Sequence, residues 1–197
     1  RSNQKQKLSE YINKWIQNKI GTVLKSLIDL KNLKEKNSSI KALAYQLYEN
    51  NGVLKREQVS EYLKTLGQNE RKILRDLGVK FGRYHVFLYQ LIKPEAVSLR
   101  TLLWKNFHQR YYNLKPPTFG LNFLDDKESK NKNFMLLCGF EKFDTLFVRI
   151  DILERLFVLI INFSNLEENK EIKLIPEMLN LLGCSKDNFI KLLQKMG

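Results

Sequence analysis

The stretch Leu74-Arg-Asp-Leu-Gly-Val-Lys-Phe-Gly-Arg-Tyr-His-Val-Phe-Leu88 marks the point where helical periodicity gives way to an extended segment. Aromatic and β-branched residues alternate roughly from residue 79 to residue 88, and Gly82 stands where a turn or bulge is needed. The pattern predicts a short β hairpin or extended insert. Pro94 then suits the first turn of a helix. The predicted inward face of that helix consists of Ala96, Leu99, Leu103 and Phe107.

Four helices are predicted before this stretch. Apolar residues recur at intervals of three and four over residues 8–28, which indicates one long amphipathic helix. A second helix begins at the cap residues Asn37 to Ser39 and ends before Gly52. A third spans about residues 56–66 and a fourth about residues 69–77, with glycines at their ends. Successive helices of this length indicate an α-helical bundle.

The chain changes character after residue 107. Pro116 and Pro117 prevent a helix, and residues 125–133 form a polar run of mixed charge, so residues 108–133 are predicted to be a linker or loop. The sequence thus divides into a basic helical bundle with the extended insert at 1–107, the linker at 108–133, and a small, mainly helical subdomain at 134–197.

The last part is predicted to be a small α+β unit. A short helix closed by Gly139 precedes a hairpin that turns at Asp144. Asp151 is predicted to cap the following helix, with Glu154 completing a capping box. Residues 175–196 have a helix-turn-helix pattern, which serves either as a DNA reader or as a packing unit. The predicted fold is therefore mainly α, a helical bundle with a hairpin insert followed by a helix-turn-helix-like subdomain.

Composition indicates a folded chain in a reducing compartment. Of 197 residues 43% are hydrophobic, which is enough for a substantial core. Cys138 and Cys184 lie far apart with no CxxC pair, so neither a disulfide framework nor a zinc site is expected. No apolar run approaches the roughly 18 residues of a membrane span. We therefore expect a cytoplasmic protein with no membrane partner.

Positive charge is concentrated in the first part of the chain. Residues 1–115 contain 23 Lys and Arg against 9 Asp and Glu, whereas residues 116–197 contain 11 against 12. A basic surface attracts polyanions, of which nucleic acid is the commonest. The alternative is a merely solvated basic surface, produced by drift toward lysine codons.

The residues around the extended insert are the candidate nucleic-acid contacts. Cationic groups beside aromatic rings suit a single strand, because the charges meet phosphates and the rings stack on bases. The alternative is that the rings pack beneath the loop, and a lone histidine there is more typical of a surface or hydrogen-bonded residue than of a base. The candidate set is Lys80, Arg83, Tyr84, His85, Lys93 and Arg100.

The stretch from Leu74 to Trp104 resembles a segment of alphaproteobacterial DExH-box superfamily 2 helicases that are similar to the helicase of the mitochondrial RNA degradosome. Two later blocks, residues 138–156 and 176–185, resemble further segments of the same family in the same order. Tyr89 departs from the family, which often has proline at that point. The resemblance covers most of residues 40–197.

The resemblance implies that this chain is a C-terminal accessory region. The family's N-terminal RecA-like motor domains would bind ATP and magnesium and translocate on RNA or DNA. Of the two nucleic acids, RNA is the one we expect. The present chain has no GxxxxGK[ST] loop and no Asp-Glu pair on a predicted strand, so we expect no ATPase activity and no cofactor of its own. The partners implied are single-stranded nucleic acid and the motor domains. The alternative is a protein-docking or architectural module that braces the motor and recruits a partner.

Overall fold

A computed structural model describes residues 2–34, 37–126, 131–164 and 175–196. The helices in these ranges are α1 Ser2–Val23, α2 Lys25–Lys31, α3 Ser38–Glu49, α4 Ser60–Thr65, α5 Gln68–Asp76, α6 Pro94–Phe107, α7 Lys132–Leu137, α8 Ile150–Ser164, α9 Pro176–Leu182 and α10 Lys186–Met196. The strands are β1 Val53–Lys55, β2 Val79–Phe81, β3 His85–Leu88, β4 Phe123–Asp125, β5 Phe140–Phe143 and β6 Leu146–Arg149. Short 3-10 helices occupy Arg56–Val59, Tyr89–Ile92 and Gln109–Tyr111. The prediction of a mainly α fold with a small β insert is confirmed.

The predicted hairpin is the centre of the first sheet. Strands β2 and β3 pair antiparallel, and β1, which the sequence did not reveal, pairs with the other edge of β3. Leu54 lies opposite Val86, and Val86 opposite Phe81, so these three share one face. That face packs on the helices, because Leu54 and Val86 belong to the same buried core as residues of α2 to α5.

The N-terminal helices follow the predicted order with two changes. The side chain of Asn37 accepts hydrogen bonds from the backbone N–H groups of Ser39 (2.8 Å) and Ile40 (3.4 Å), which confirms the predicted cap of α3. The prediction of one continuous helix over residues 8–28 is wrong, because Leu24 interrupts it and separates α1 from α2. The third predicted helix begins as a 3-10 turn and becomes α-helical at Ser60.

The opposite face of the first sheet packs against the later part of the chain. Val53 and Phe87 are register partners on that face, and with Ile92 and Ile150 they form one buried cluster. Val97 of α6 joins a further buried cluster with Phe134 and other residues of the second half. The division into 1–107, 108–133 and 134–197 stays a prediction, although these clusters cross both proposed boundaries.

The second sheet has the strand order β4-β6-β5, and β4 lies inside the predicted linker. The hairpin predicted for the last part of the chain is confirmed as β5 and β6, with Asp144 at its turn in the left-handed region at φ 59°. Helices α8, α9 and α10 cover one face of this sheet around Met178, Phe189 and Leu192. Residues 127–130 of the predicted polar loop lie outside the described residues.

Both hairpins begin directly after a helix that ends at a left-handed glycine. Helix α5 ends before Gly78 at φ 91°, and α7 ends before Gly139 at φ 85°, and a hairpin starts at the next residue. In each sheet the second hairpin strand is central, and an earlier strand completes the other edge. A left-handed residue reverses the chain most cheaply when it is glycine, because it has no Cβ.

The inward face predicted for α6 is partly wrong. Ala96 is buried, and Leu99 packs against the buried core that α2 to α5 form with the first sheet. Leu103 and Phe107 are exposed, Phe107 by 84%. Val97, Arg100 and Thr101 are buried instead, because the second half covers the adjacent side of the helix. No helix in the described ranges combines the length and the apolar character that crossing a bilayer requires.

Replacement of Gly139 by alanine tests whether the turn between α7 and β5 requires a glycine. A Cβ at this left-handed position would lie 2.7 Å from Cγ2 and 3.1 Å from Cβ of Ile92. We expect Gly139→Ala to lower the free energy of unfolding in urea by about 2–4 kcal/mol, from backbone strain plus overpacking. Gly21→Ala is the control: Gly21 lies in α1 with open space around it, so alanine there should raise stability by about 0.5–1 kcal/mol. Equal effects at the two sites would contradict this account.

Candidate nucleic-acid interface

The loop between β2 and β3, residues Gly82 to Tyr84, is held by the carboxylate of Glu154 from α8. Glu154 accepts hydrogen bonds from the backbone N–H groups of Arg83, Tyr84 (3.0 Å) and His85 (2.8 Å). Gly82 permits the close approach, since a Cβ at that position would collide with the carboxylate. The loop is therefore fixed by a residue 70 positions later in the chain.

The prediction that Glu154 completes a capping box with Asp151 is wrong. Helix α8 already begins at Ile150, and Asp151 forms a two-point ion pair with Arg149, at 2.7 and 3.1 Å. Glu154 instead accepts hydrogen bonds from three consecutive backbone N–H groups and lies 3.3 Å from Nδ1 of His85. Sequence spacing alone could not distinguish this long-range role from a local cap.

His85 is buried between two carboxylates. Its Nε2 lies 2.8 Å from Oε2 of Glu141 on β5, and its Nδ1 lies 3.3 Å from Oε1 of Glu154. Lys55 on β1 adds an ion pair to Glu141 at 3.3 Å. We call these four residues the His85 cluster. A doubly protonated imidazole can donate to both carboxylates, so the cluster joins β3 to β5 and α8.

The cluster shifts the pKa values of its members. Burial alone would lower the pKa of His85, but the hydrogen bonds to Glu141 and Glu154 outweigh it and raise that pKa above the usual 6.5. Burial would likewise raise the pKa of both glutamates, but His85 lowers them below the usual 4.5. Lys55 assists at Glu141, and the loop N–H groups assist at Glu154. The charged forms of all three groups are thus favoured in the folded state.

A groove of about 640 Å³ separates the hairpin from α8. Aromatic and aliphatic side chains form much of its wall, with cations among them, and the two carboxylates that reach it are already hydrogen-bonded elsewhere. We call it the hairpin groove. It is lined by Lys80, Phe81, Gly82, Arg83, Phe87, Tyr89, Asp151, Glu154, Arg155, Val158 and Leu159.

Cations lie over rings at several points of this groove. The Arg83 guanidinium lies 5.4 Å from the ring centroid of Phe157, and Lys93 Nζ lies 5.8 Å from that of Tyr89. Arg71 and Arg75 each lie 5.6 Å from the ring of Phe81. Such contacts keep cationic groups beside rings without neutralising their charge.

A second depression, of about 490 Å³, lies on the other side of the Gly82–Tyr84 loop. Lys55, Arg56 and Arg83 bring positive charge to it, but Glu57 and Glu141 also line it. Arg56 additionally donates to the backbone carbonyl of Gly82 at 2.8 Å. The hairpin groove contains the same balance of cations and carboxylates, but it also offers the exposed side chain of Tyr89, so we favour it as the candidate for a nucleic-acid strand.

The six residues proposed from the sequence differ in their exposure and fall into three groups. Lys80, Arg83 and Lys93 are exposed at or beside the hairpin groove, and no carboxylate in the described ranges forms an ion pair with any of them. Tyr84 is half-buried and packs edge-to-face on Phe157, with ring centroids 4.9 Å apart. His85 and Arg100 are buried, with 1% and 4% of their surface exposed.

Arg100 holds backbone rather than facing the groove. Its guanidinium donates to the carbonyls of Leu91 (2.9 Å) and Asn51 (2.5 Å), and Asn51 is a left-handed residue at φ 55°. Burial lowers the pKa of Arg100 to about 10, which leaves the group charged at neutral pH. Arg100 thus ties the turn before β1 to α6, and we leave it and His85 out of the proposed contact surface.

Sequence reasoning missed the α8 side of the groove. Arg155 and Val158 are exposed there, Val158 by 55%, although the helix has a continuous apolar pattern. Their spacing of three places them on one side, opposite the buried Leu153 and Leu156. The presence of both an apolar and a charged residue on that side was the available signal. Phe81 and Tyr89 were missed because alternation assigns rings to the core.

In the described part of the chain, no three His, Cys, Asp or Glu side chains are arranged to hold a metal ion. We compared the chain with models of known protein families, with curated proteins and with solved structures, and none of these comparisons found a match. The helicase resemblance therefore stays a prediction.

The His85 cluster predicts a stability that depends on pH at both ends. A raised His85 pKa gives stability that is complete below pH 6.5 and is lost as the pH rises through the folded-state value. Lowered glutamate pKa values give stability that is complete above pH 4.5 and is lost as the pH falls. The cluster should stabilise most between these two values.

His85→Gln should remove the alkaline part of this dependence. We expect the variant to lower the free energy of unfolding by about 2–4 kcal/mol at pH 5.5 and by clearly less at pH 8.5, measured by urea titration. Val86→Ala, at the buried neighbour on the same strand, is the control. Its loss in the free energy of unfolding should be the same at pH 5.5 as at pH 8.5. A loss that is independent of pH in His85→Gln would contradict the charged bridge.

Arg100→Met tests the structural role of the buried guanidinium. Methionine fills similar space but leaves the carbonyls of Leu91 and Asn51 without their donor, so we expect a loss of about 2–4 kcal/mol in urea unfolding. Arg83→Met, at an exposed site, should stay within about 0.5 kcal/mol of the parent. Equal stability of the two variants would show that Arg100 is dispensable for the fold.

Proposed function

We propose that this chain is the C-terminal accessory region of an ATP-dependent superfamily 2 helicase of the cytoplasm, and that it contacts single-stranded nucleic acid, with RNA preferred to DNA. The motor activity, with its ATP and magnesium, belongs in this proposal to RecA-like domains of the same polypeptide. The three sequence blocks that resemble the helicase family support the assignment. The hairpin groove supports the contact with nucleic acid.

One observation carries the binding role: cations that form no ion pair within the described ranges lie beside the exposed side chain of Tyr89 at the hairpin groove. Lys80 and Arg83 line it, and Lys93 lies over the ring of Tyr89, a residue that is 39% exposed. A single strand needs charge for its phosphates and rings for its bases, and this groove offers both. The basic surface of α1 to α6 extends the favourable potential beyond the groove.

The groove is also preformed, which favours binding. Glu154 holds the Gly82–Tyr84 loop through three backbone N–H groups, so Arg83 is presented without further ordering of the backbone. A fixed loop loses less conformational entropy on binding than a free one. The loop therefore supports contact with a strand without itself reading a base sequence.

Fluorescence anisotropy with a labelled 20-nucleotide RNA, the same DNA and a duplex, over a salt series, tests the proposal. We expect the single strands to bind more tightly than the duplex, with affinity that falls steeply as salt rises. The triple variant Lys80→Glu, Arg83→Glu, Lys93→Glu should weaken RNA binding at least tenfold and reduce the salt slope by about 2, from roughly 0.7 per phosphate contact.

A charge-matched variant provides the control. Lys41→Glu, Lys186→Glu, Lys191→Glu changes the net charge equally at exposed positions on α3 and α10. Tyr89→Ala should weaken RNA binding by about 1–3 kcal/mol, the usual contribution of one stacked base, while Tyr45→Ala, at an exposed tyrosine of α3, should not. Equal losses in the two triple variants would reduce the interaction to net charge, and absent binding would favour a protein-docking or architectural module.

A further inference from the structure

Helix α6 ends in a group of aromatic side chains that the following turn brings together. The 3-10 turn Gln109–Tyr111 folds the chain back, with the backbone N–H group of Tyr111 donating to the carbonyl of His108 at 2.9 Å. The ring of Tyr111 stacks on that of Trp104, with centroids 5.1 Å apart and an interplanar angle of 19°. Trp104 also contacts Phe134 of α7, at 5.6 Å between centroids, which anchors the group to the second half of the chain.

Two rings at this end of α6 are open to solvent. Phe107 is exposed by 84% and Tyr112 by 70%, the highest values among the aromatic side chains of the described residues. Phe107 meets His108 edge-on at 4.9 Å, and His108 lies 4.6 Å from Trp104. The rings beneath are thus held by one another, while Phe107 and Tyr112 offer uncovered surface to a partner.

Positive charge lies beside these rings. Lys105 Nζ is 5.9 Å from the ring centroid of Tyr112, and the Arg110 guanidinium is 4.6 Å from that of Tyr111. Neither of these cations, nor the exposed Lys115, forms an ion pair with a carboxylate of the described residues. Residues 96–124 contain no Asp or Glu at all. The segment therefore lacks acidic side chains of its own, whereas two carboxylates line the hairpin groove.

We propose that this end of α6 is a second contact site for single-stranded nucleic acid, separate from the hairpin groove. Bases would stack on the two exposed rings, and the three cations would meet phosphates. We call it the α6 site, and it consists of Lys105, Phe107, Arg110, Tyr112 and Lys115.

The α6 site does not need the hairpin groove. None of its residues lines that groove, which Lys93 adjoins at the start of α6. The 14 residues of Pro94–Phe107 form a helix about 20 Å long, so the two surfaces lie at opposite ends of α6. The proposal therefore stands or falls independently of the binding role of the groove.

The contacts of the cations favour a nucleic-acid strand over other occupants. In a helix that lies on a membrane, cations and apolar side chains occupy opposite faces, whereas here Lys105 and Arg110 lie against rings. A second copy of the chain seated on the same site would bring like charges together. An acidic peptide would satisfy the cations but would not use the exposed rings, which stack on bases.

Fluorescence anisotropy with the labelled 20-nucleotide RNA tests the rings. We expect Phe107→Ala with Tyr112→Ala to weaken RNA binding by the whole chain at least tenfold, because two stacking partners are lost. Tyr11→Ala with Tyr45→Ala, at exposed tyrosines of α1 and α3, is the control and should change the affinity less than twofold. Equal effects of the two pairs would overturn the proposal, as would absent RNA binding.

A second pair of variants tests the charges. Arg110→Glu with Lys115→Glu should weaken RNA binding at least tenfold, while Lys41→Glu with Lys191→Glu, at exposed positions of α3 and α10, should change it less than threefold. Circular dichroism should show unchanged helix content in every variant, because all of the substituted side chains are exposed. A loss in the charge variant without one in the ring variant would overturn the proposal, because charge alone would then account for binding.

Photochemical cross-linking separates the α6 site from the hairpin groove. RNA containing 4-thiouridine should form adducts within residues 104–115, located by mass spectrometry of peptides. The adducts should persist in the groove variant Lys80→Glu, Arg83→Glu, Lys93→Glu and disappear in Phe107→Ala with Tyr112→Ala. Adducts confined to other segments would overturn the α6 site while leaving the groove proposal intact. Adducts here, with RNA affinity unchanged in the groove variant, would do the reverse.

Three further measurements identify a different occupant. Binding to phosphatidylserine vesicles that Phe107→Ala with Tyr112→Ala abolishes would overturn the proposal in favour of a lipid surface. A dimer that the same variant dissociates, measured by sedimentation, would overturn it in favour of a second copy. Displacement of RNA by polyglutamate as effective as that by unlabelled RNA would overturn it in favour of an acidic peptide. We expect none of these results.

Discussion

The arrangement of the chain depends on the hydrogen bonds that the carboxylate of Glu154 accepts. Three successive N–H groups of the Gly82–Tyr84 loop and of His85 converge on it, and a buried N–H group without an acceptor destabilises a fold. A buried carboxylate in turn needs a positive partner, which His85 supplies. His85 then bonds to Glu141, so that the first sheet, the second sheet and α8 are positioned by one continuous polar network inside an otherwise apolar contact.

The same network shapes the surface. Because the loop is drawn toward α8, the hairpin stands over that helix and leaves the hairpin groove along one side and the mixed-charge depression along the other. Arg83 lines both the groove and the depression, because Glu154 holds its backbone N–H group while its side chain extends outward. The position of the groove is thus a consequence of how the two halves of the chain are joined.

Local signals in the sequence predicted much of this fold. The hairpins, the Asn37 cap and the glycines at 78 and 139 are specified by residues within a few positions of each other, and they were found where expected. Strand β1 was missed because three residues offer too short a pattern, and its pairing with β3 is decided by distant residues.

Long-range contacts explain the remaining differences. Glu154 satisfied the spacing of a local cap but was engaged by a loop 70 residues earlier, which no periodicity encodes. Three of the six candidate contact residues, Lys80, Arg83 and Lys93, are exposed cations, whereas His85 and Arg100 entered the set by proximity in sequence. Whether a basic residue near a hairpin faces solvent or binds carbonyls depends on what packs above it, and for Arg100 that is the turn at Asn51.

The break at Leu24 has a mechanical consequence. Helix α1 is about 33 Å long, and beyond Ile20 it extends past the core with few contacts of its own. It is held only near its C-terminal end, where Ile20 and Val23 pack against the core and Lys19 is bonded to Glu95 of α6. A rotation of about 10° about Ile20 would displace the N-terminal end by about 5 Å. A force on the N-terminal part of α1 would therefore act as a torque on these few contacts.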